Sequence, residues 1–430
     1  MTTRISPKSM QVKGPRVRRE GSRLLFNNLD HIAAVSDFQR AVYDGLRQGF
    51  TEYTLQFIGT DRFFPNAVVP IAAYLDLYSA EGVKFSVKHA PWRLVRAKLL
   101  SPITTQSATN REKLSPTSVV WKFEEASQVN QIVTDFVHAL STIHICAAGV
   151  LESFEWCLNE IMDNVLQHSD GSPGFVMMQV HAQSERVAIC IADHGRGLLS
   201  SLQQSKYRPA TELDAITIAI KPGVTRDPNI GQGNGLWGLS EIIQRNKGRL
   251  NIVSGRAALY FDGKETKSFS NLPSHWSKAG AVVDFQINTD SPIHVSEALG
   301  GGAYQHVNIR MEEMQIGVSE YLVNVQSVSH GTGTRRSGER VRNFVLNIFS
   351  EGASRVVLDF NGVGMVSSSF ADEVVGKLVA QFGFSGFNQK VAMKNANATV
   401  RSLIDYSVQQ RLMTQLQLGG SSSESGSGSK

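Results

Sequence analysis

The sequence predicts an α/β protein of several domains, and three observations support this fold class. The chain has 430 residues, more than one hydrophobic core usually organises, so two to four domains are expected. Short apolar runs typical of strands alternate with longer runs of helical periodicity. Polar stretches at 96–130 and 296–316 separate these segments; the first is a predicted linker or ordered loop and the second a predicted linker. The expected architecture is a central α/β sandwich flanked by two small α/β domains.

The first 22 residues predict a basic, flexible arm. Cationic side chains dominate it and oppose Glu20 alone; they are Arg4, Lys8, Lys13, Arg16, Arg18, Arg19 and, just beyond, Arg23. Such an arm can contact nucleic acid or an acidic partner. No aromatic residue interleaves the charges, so a solvated tail is preferred over a nucleic-acid-binding arm.

Residues 23–95 predict a small α/β domain. TEYTLQFIG has the pattern of a strand, FFPNAVVPIAAYLDLYSAEG that of a proline-interrupted helix ending at Gly82, and VKFSVKH that of a second strand. The order strand, helix, strand predicts parallel pairing. The segment resembles the STAS fold of anti-sigma-factor antagonists, and no nucleophile or cofactor motif stands out in it.

The central domain, predicted for 131–295, contains three polar motifs in order. In the first, Glu160 and Asn164 lie one turn apart within FEWCLNEIMDNVLQHSD, whose apolar positions recur at helical spacing. An Asn carbonyl is an oxygen ligand suited to Mg²⁺. A neighbouring Glu can accept a proton from a nucleophile or position an attacking water.

The second motif, Asp193-x-Gly195-x-Gly197, follows the strand-like run RVAICIA. Its glycines allow a tight turn and the close approach of a flat ligand. A buried carboxylate at this place can accept a hydrogen bond from an exocyclic amine.

The third motif, Gly231-x-Gly233-x-Gly235-Leu236, runs directly into the helix-like LWGLSEIIQRNKG. Its amides therefore stand at a helix N-terminus, where phosphates bind. Taken singly, such a glycine run is equally compatible with a flexible turn.

Together the motifs resemble the GHKL superfamily of ATPases, which includes gyrase, the heat-shock chaperone ATPase, histidine kinases and MutL. The resemblance covers about residues 131–290. It implies that Asn164 is the Mg²⁺ ligand, that Glu160 is the general base and that Asp193 accepts a hydrogen bond from the adenine amine. The remaining residues of the implied ATP site are Gly195, Gly197, Gly231, Gly233, Gly235 and Leu236, with the amides of Gly233 and Gly235 holding the phosphates.

The resemblance also implies a lid between Leu198 and Ile230. Lys221 or Arg226 in this stretch can neutralise the terminal phosphate, and solvated loop charges are the equal alternative. The chain departs from the family at Gly280-Ala281, where the family often has Gly-Thr. The hydroxyl that usually helps to hold adenine is therefore missing or supplied from elsewhere.

Asp163 and His168 lie near the predicted site by spacing. For both residues, a surface carboxylate and a helix-end imidazole are preferred over a functional role. His138 and His144 are interpreted as core or surface residues, because no recognisable phosphoacceptor helix precedes the first motif.

Residues 317–418 predict the second small domain. RVRNFVLNIFSEG predicts an amphipathic helix, RVVLDFNGV a buried strand and SSSFADEVVGKLVAQFG a helix opened by serines suited to capping. This region resembles STAS-like domains that accompany GHKL ATPases. The final residues, 419–430, predict a flexible tail without a function.

In STAS antagonists a serine at the start of this helix is phosphorylated by a GHKL kinase, and Ser368, with Ser369 beside it, falls at the matching position. Ser367 and Phe370 depart from the acid and the glycine of the family. The alternative for Ser368 is an N-cap that only satisfies helix amides.

The composition narrows the class of protein further. No apolar run reaches the length of a membrane span and no signal-peptide core is seen, so a cytoplasmic protein without membrane contact is expected. Cys146, Cys157 and Cys190 lack metal-like spacing and lie in apolar contexts, which predicts buried thiols.

The sequence leaves three functions open. The preferred one is an ATP-binding and ATP-hydrolysing regulator whose nucleotide state controls STAS-like modules or the packing of a second protomer in a homodimer. The first alternative is a protein-serine kinase, because Glu160 can prepare water or a serine hydroxyl for attack. The second is a scaffold that binds ATP without turnover. The expected ligands are ATP and Mg²⁺, and the expected partners are proteins bound by the STAS-like domains.

Overall fold

The residues that the structure describes form an α/β protein, as the fold-class prediction states, and they contain three sheets. The computed structural model describes residues 14–58, 62–88, 90–203, 205–224, 234–272, 280–299 and 309–420. The chain divides into two compact units. The first comprises Met1–Asp135, Cys157–His181 and Val187–Ile287, and the second comprises Phe136–Trp156, Ala182–Arg186 and Asn288–Lys430.

The first unit opens with a four-stranded sheet in the order β1-β2-β3-β4. Its elements are β1 (Val17–Glu20), β2 (Arg23–Phe26), α1 (Ala33–Leu46), β3 (Glu52–Phe57), α2 (Pro65–Ala80) and β4 (Lys84–Lys88). β1 and β2 are antiparallel, whereas β2, β3 and β4 run parallel. The predicted parallel strand pair is therefore confirmed. The predicted interruption of the helix is wrong, because α2 continues through Pro70 and is buried along most of its length.

The second half of the predicted basic arm belongs to this sheet. Arg18 and Arg23 form ion pairs with Glu20 at 3.3 and 3.1 Å. Residues 14–22 are thus ordered by the β1–β2 hairpin instead of forming a flexible arm, because the pairing satisfies their backbone groups. Residues 1–13 lie outside the described residues.

The first unit continues into a seven-stranded sheet in the order β10-β9-β8-β11-β7-β6-β5. The elements of this region are α3 (Trp92–Arg96), α4 (Asn110–Leu114), β5 (Trp121–Phe123), α5 (Ala126–Ile143), α6 (Val150–His168), β6 (Gly174–His181), β7 (Arg186–Asp193), α7 (Gly197–Gln203), α8 (Glu212–Ala219), α9 (Gly235–Arg245), β8 (Arg249–Ser254), β9 (Ala257–Phe261), β10 (Thr266–Phe269) and β11 (Ala281–Asn288). The helix and strand predicted around the first two motifs are confirmed as α6 and β7, and the helix after the third as α9.

The predicted linker at 96–130 contains part of the sheet. β5 pairs antiparallel with β6, and Trp121 and Phe123 are fully buried. The polar residues before β5 suggest a linker, whereas burial of these two aromatic side chains makes the segment an edge strand.

The N-terminal part covers one face of the seven-stranded sheet. Phe175 and Met177 of β6 and Cys190 and Ala192 of β7 occupy alternating positions and share a hydrophobic core with α1 and α2. The intervening residues of β6 and β7 are also buried. Both faces of this part of the sheet are therefore excluded from water.

The second unit contains a four-stranded sheet in the order β12-β13-β14-β15. Its elements are α10 (Val295–Ala298), α11 (Ile309–Met314), β12 (Gln315–Gly317), β13 (Glu320–Asn324), α12 (Val325–Ser329), α13 (Arg335–Ser350), β14 (Arg355–Asp359), α14 (Ser368–Ala371), a π-helical turn (Asp372–Gly376), α15 (Lys377–Lys390), β15 (Val391–Lys394) and α16 (Ala398–Gly420). The strands and helices predicted here are confirmed. The predicted linker at 296–316 includes α11, and residues 300–308 lie outside the described residues.

The two small sheets share one topology. In the second, β12 and β13 are antiparallel and β13, β14 and β15 run parallel, as do the corresponding strands of the first. A helix that begins after the third strand leads to the fourth in both. That helix begins at Pro65 after a Phe64 cap in the first sheet and at Ser368 after a Ser367 cap in the second.

Candidate functional site

The first motif lies on α6. Glu160 and Asn164 are both partly buried, one turn apart. Burial, with a smaller contribution from the charge of Asp163, raises the pKa of Glu160. A carboxylate in this position is a stronger base than an exposed one, because protonation relieves the cost of a partly desolvated charge.

The third motif meets the first at Gly235. A Cβ atom added to Gly235 would lie 2.8 Å from Nδ2 of Asn164 and 2.9 Å from Oε2 of Glu160. The N-terminus of α9 therefore lies directly against both polar side chains, and only glycine leaves room for this approach. The amides of the first turn of α9 have no partner within the helix, and Gly235 lies beside the carboxyl group of Glu160 and the side-chain amide nitrogen of Asn164.

The second motif packs against the end of α6. A Cβ atom on Gly195 would lie 2.7 Å from the Cα of Ser169, the residue that follows α6. The carbonyl of Gly195 accepts a hydrogen bond from the Gly280 amide at 3.0 Å. The described residues of the three motifs, which span more than 70 residues of sequence from Glu160 to Gly235, thus meet at α6 and the residue that follows it.

Asp193 ends β7 and is buried, with 6 % of the residue exposed. Burial raises the pKa of Asp193 to about 6, against the opposing effect of backbone amides from Gly195 and Ala281 and the charge of His194. The amide of Gly195 donates to Oδ1 at 2.7 Å. The hydrogen bond fixes the carboxyl group, which can accept a further donor from a ligand.

Ser254 of β8 supplies a hydroxyl next to the Gly280-Ala281 departure. Ala281 and Ser254 are direct cross-strand partners. The Ser254 hydroxyl accepts from the Leu198 amide at 2.9 Å and donates to the Gly280 carbonyl at 3.0 Å. It holds the segment after the second motif against β11. The sequence alone does not single out Ser254, because only strand register places it there.

The segment after the second motif forms two helices. α7 begins at Gly197, whose φ of +73° favours glycine. Leu236 packs against an apolar cluster of α7 and α8 residues, so its role here is packing. Lys221 is exposed just after α8. Gly231, Gly233 and Arg226 lie outside the described residues.

Hydrogen bonds connect the start of α9 to the segment that contains α7 and α8 and the residues after them. Oδ1 of Asn234, the residue before α9, accepts a hydrogen bond from the Gly223 amide at 3.2 Å. The Tyr207 hydroxyl donates to the Gly223 carbonyl at 2.8 Å. The backbone near Lys221 is thereby held close to the start of α9.

The N-terminal part supports the strand that ends in Asp193. Asp76 of α2 lies 3.4 Å from Nε2 of His194 and 3.0 Å from Nζ of Lys122. Hydrogen bonding to His194, together with Lys122, lowers the pKa of Asp76 despite its burial. His194, the residue after β7, thus connects the end of the strand to α2.

At the start of α14 the three serines have different roles. Ser367 is the N-cap, and its hydroxyl accepts from the Phe370 amide at 3.1 Å. The N-cap interpretation of Ser368 is therefore wrong. Ser368 is the first helical residue and is exposed, and Ser369 lies 3.0 Å from Ser367, hydroxyl to hydroxyl.

The remaining candidate residues lie away from the meeting point of the motifs or face outward. Asp163 is exposed and His168 is partly buried at the end of α6. His138 contacts Phe344, with ring centroids 5.8 Å apart. His144 forms an ion pair with Glu185 at 2.6 Å. The cysteines, Cys146, Cys157 and Cys190, are buried free thiols, as predicted.

The described residues contain neither a metal-binding cluster of His, Cys, Asp and Glu side chains nor a membrane-spanning helix. No group of three or more His, Cys, Asp and Glu side chains is arranged to hold a metal ion there. None of the helices in that part of the chain has the length and hydropathy that crossing a membrane requires.

Comparison with known families identifies the C-terminal region. Residues 337–401 match the family model of a STAS-like domain of unknown function (DUF4325). The match extends from α13 to the start of α16 and includes Ser368. No curated protein matches the chain. The second unit therefore carries a STAS-like domain, a class of fold that commonly mediates protein interactions.

Proposed function

We propose that the chain is an ATP-binding and ATP-hydrolysing regulator of the GHKL type whose nucleotide state controls its STAS-like modules. The observation that carries this proposal is the approach of Gly235 to both Glu160 and Asn164. A helix N-terminus offers amides to phosphate, the Glu160 carboxyl group can accept a proton, and the side-chain amide of Asn164 carries an oxygen of the kind that Mg²⁺ prefers.

The residues present fit the nucleotide. Asp193 offers a buried, oriented carboxyl group to the adenine amine, and the amides at the start of α9 offer donors to phosphate. Asn164 is the residue that would hold Mg²⁺, which would neutralise phosphate charge when bound. The Ser254 hydroxyl, which bonds to Leu198 and Gly280, supplies a hydroxyl beside the place where the family often has threonine.

Glu160 is the proposed general base. Its raised pKa suits it to accept a proton from an attacking water, which its carboxylate would also orient. The sign of the pH dependence follows: hydrolysis should rise as the pH increases through the elevated pKa of Glu160, because only the ionised form can accept the proton.

Binding is tested by calorimetric titration with a non-hydrolysable ATP analogue, with and without Mg²⁺. Wild type should bind in a Mg²⁺-dependent manner, and Asp193→Ala should lose the binding. Asp44→Ala, an exposed carboxylate on α1, is the matched control and should bind normally. Unchanged affinity in Asp193→Ala would refute the adenine site. If wild type does not bind the analogue, the protein would instead be a scaffold built from STAS-like modules.

Turnover is tested with Glu160→Ala. The variant should retain nucleotide binding while phosphate release falls by about 10²–10⁴-fold, the usual contribution of general base catalysis. Glu297→Ala, an exposed glutamate on α10, should hydrolyse ATP at the wild-type rate. Normal turnover in Glu160→Ala would place the base elsewhere.

A second candidate function, phosphotransfer to serine, is favoured by one specific observation. Ser367 already caps α14, so the Ser368 hydroxyl is exposed and is not needed for the helix. Incubation with γ-labelled ATP should then leave label on the protein, and Ser368→Ala should remove it. Label that survives in Ser368→Ala, or the release of all label as free phosphate, would favour the hydrolytic switch.

A further inference from the structure

A polar stripe runs along α13, the first long helix of the STAS-like domain. Asn343, Asn347 and Glu351 follow each other at four-residue intervals, so they share one face of the helix and its C-cap. Asn343 is 3 % and Asn347 is 1 % exposed. Amide side chains buried to this extent need partners, and both find them outside the STAS-like sheet.

The two asparagines bind the end of α5. Nδ2 of Asn347 donates to the carbonyls of Ser141 and His144, both at 2.8 Å, and its Oδ1 accepts from the Cys146 amide at 2.6 Å. Nδ2 of Asn343 lies 3.3 Å from the carbonyls of Thr142 and Ile143. The last carbonyls of a helix have no partner within it, so α13 caps α5 from outside.

Glu351 reaches the other side of the same turn. Its carboxylate accepts a hydrogen bond from the backbone amide of Gly149, immediately before α6. Gly149 has a φ of +72°, and a Cβ atom there would lie 2.9 Å from the carbonyl carbon of Ile293. The turn between α5 and α6 therefore contacts α13 and its C-cap at two places, through Asn347 and through Glu351.

The first half of α13 contacts the helix that starts at Ser368. A Cβ atom on Gly338 would lie 2.9 Å from both the carbonyl oxygen of Phe370 and the Cβ of Glu373. Glu373, 2 % exposed, forms ion pairs with Arg335 at 3.0 Å and with Arg342. The contact at Gly338 is too close to absorb a shift of either helix.

We propose that α13 couples the charge state of Ser368 to nucleotide binding, with Asn343 and Asn347 as positioning residues that transmit the change to the turn before α6. The coupling rests on the proposed function, because α6 is one continuous helix that carries Glu160 and Asn164. A phosphate on Ser368 adds about −1.5 to −2 charges one turn from Asp372. It competes for Arg335, which is exposed and pairs with both Asp372 and Glu373.

The first test is a double-mutant cycle on the Kd of a non-hydrolysable ATP analogue, using the full chain. Ser368→Glu should change the Kd by about fivefold or more in the wild-type background, the lower range of allosteric coupling. In the Asn347→Leu background the same substitution should change it less than about twofold. An equal change in both backgrounds, or no change in either while binding persists, overturns the coupling.

The second test needs no nucleotide, so it separates failure of the coupling from failure of the proposed function. Hydrogen exchange of the amides of Cys146 and Gly149 should accelerate in Asn347→Leu and should respond to Ser368→Glu in the native background alone. Asn361→Leu, an exposed asparagine of the same domain, should leave these amides protected. Asn343→Ala serves if Asn347→Leu is unfolded by circular dichroism. If the exchange rates of these amides do not respond to Ser368→Glu, the proposed coupling through α13 is refuted.

Discussion

Single buried carboxylates determine how this fold responds to pH. Asp284 of β11 is buried, and burial raises its pKa to about 7, opposed by a hydrogen bond from Asn66 of α2. Nδ2 of Asn66 lies 3.4 Å from Oδ2 of Asp284, and Oδ1 of Asn66 is buried without a hydrogen-bond partner. The fold therefore prefers the protonated form, and a neutral amide at 284 would also offer Asn66 the donor that it lacks.

Asp284→Asn should stabilise the protein most at alkaline pH. Because the folded pKa lies above the unfolded value, the stabilising contribution of wild-type Asp284 is complete below the unfolded pKa of about 3.8 and is lost as the pH rises through about 7. The free energy of unfolding of the variant should exceed that of wild type by on the order of 3 kcal/mol at pH 8. Denaturation from pH 5 to 8 measures this; parallel curves for the two proteins would contradict it, and Asp44→Asn should follow wild type.

A second residue-scale prediction concerns Gly235. In Gly235→Ala the new methyl group must displace Glu160 and Asn164. Affinity for the ATP analogue in the presence of Mg²⁺ should therefore fall by about tenfold, a loss of about 1.4 kcal/mol of binding free energy. The melting temperature should change little, because the atoms that the methyl group meets are the far ends of two partly buried side chains, which can move aside. Calorimetry and thermal unfolding measure the two effects. Gly364→Ala, where an added Cβ meets no atom within 4 Å, is the control. Unchanged affinity in Gly235→Ala would show that the start of α9 is not part of the nucleotide site.

At the scale of an element, the start of α14 distinguishes a structural serine from an available one. Ser367→Ala removes the cap and should lower the free energy of unfolding by about 1 kcal/mol. Ser368→Ala, on an exposed hydroxyl, should change it by less than about 0.5 kcal/mol. Chemical denaturation of both variants measures the difference. Equal losses would mean that the cap is shared, and Ser368 would then be a structural residue.

The π-helical turn after α14 shows what an element-level pattern leaves undecided. The run SSSFADEVVGKLVAQFG predicts one continuous helix, and its apolar spacing is correct. The extra residue of the turn lies at Asp372–Gly376, where Glu373 is buried among Arg335, Arg342 and Lys377. Those cations come from another helix or a later turn, so the local sequence contains no sign of the distortion.

At the scale of the molecule, the N-terminal part is a structural requirement of the first unit. Side chains of both the small and the seven-stranded sheet belong to one hydrophobic core, with α2 in contact with β4 and β6. A variant lacking residues 1–96 should therefore expose a broad apolar sheet face and aggregate. Size-exclusion chromatography and binding of a hydrophobic dye measure this. A monodisperse variant that does not bind dye would show that the sheet is stable alone.

The sequence alone determined those properties that depend on residues close together in the chain. Helix α6 with Glu160 and Asn164, the strand that ends in Asp193 and the helix after the third glycine run each follow from local periodicity and glycine placement. The alternation of strands and helices was enough to predict the α/β class. These signals are local because hydrogen bonding and side-chain direction within one element repeat at a fixed period.

Only the tertiary structure decided which distant residues meet. The approach of Gly235 to Glu160, the cross-strand position of Ser254 and the capping of α5 by Asn347 depend on register and packing between segments far apart in the chain. The same holds for β5, whose polar flanking residues indicate a linker until the burial of Trp121 and Phe123 is known. Free energy gained by excluding apolar surface from water depends on the complete fold, so neither local composition nor spacing could predict these contacts.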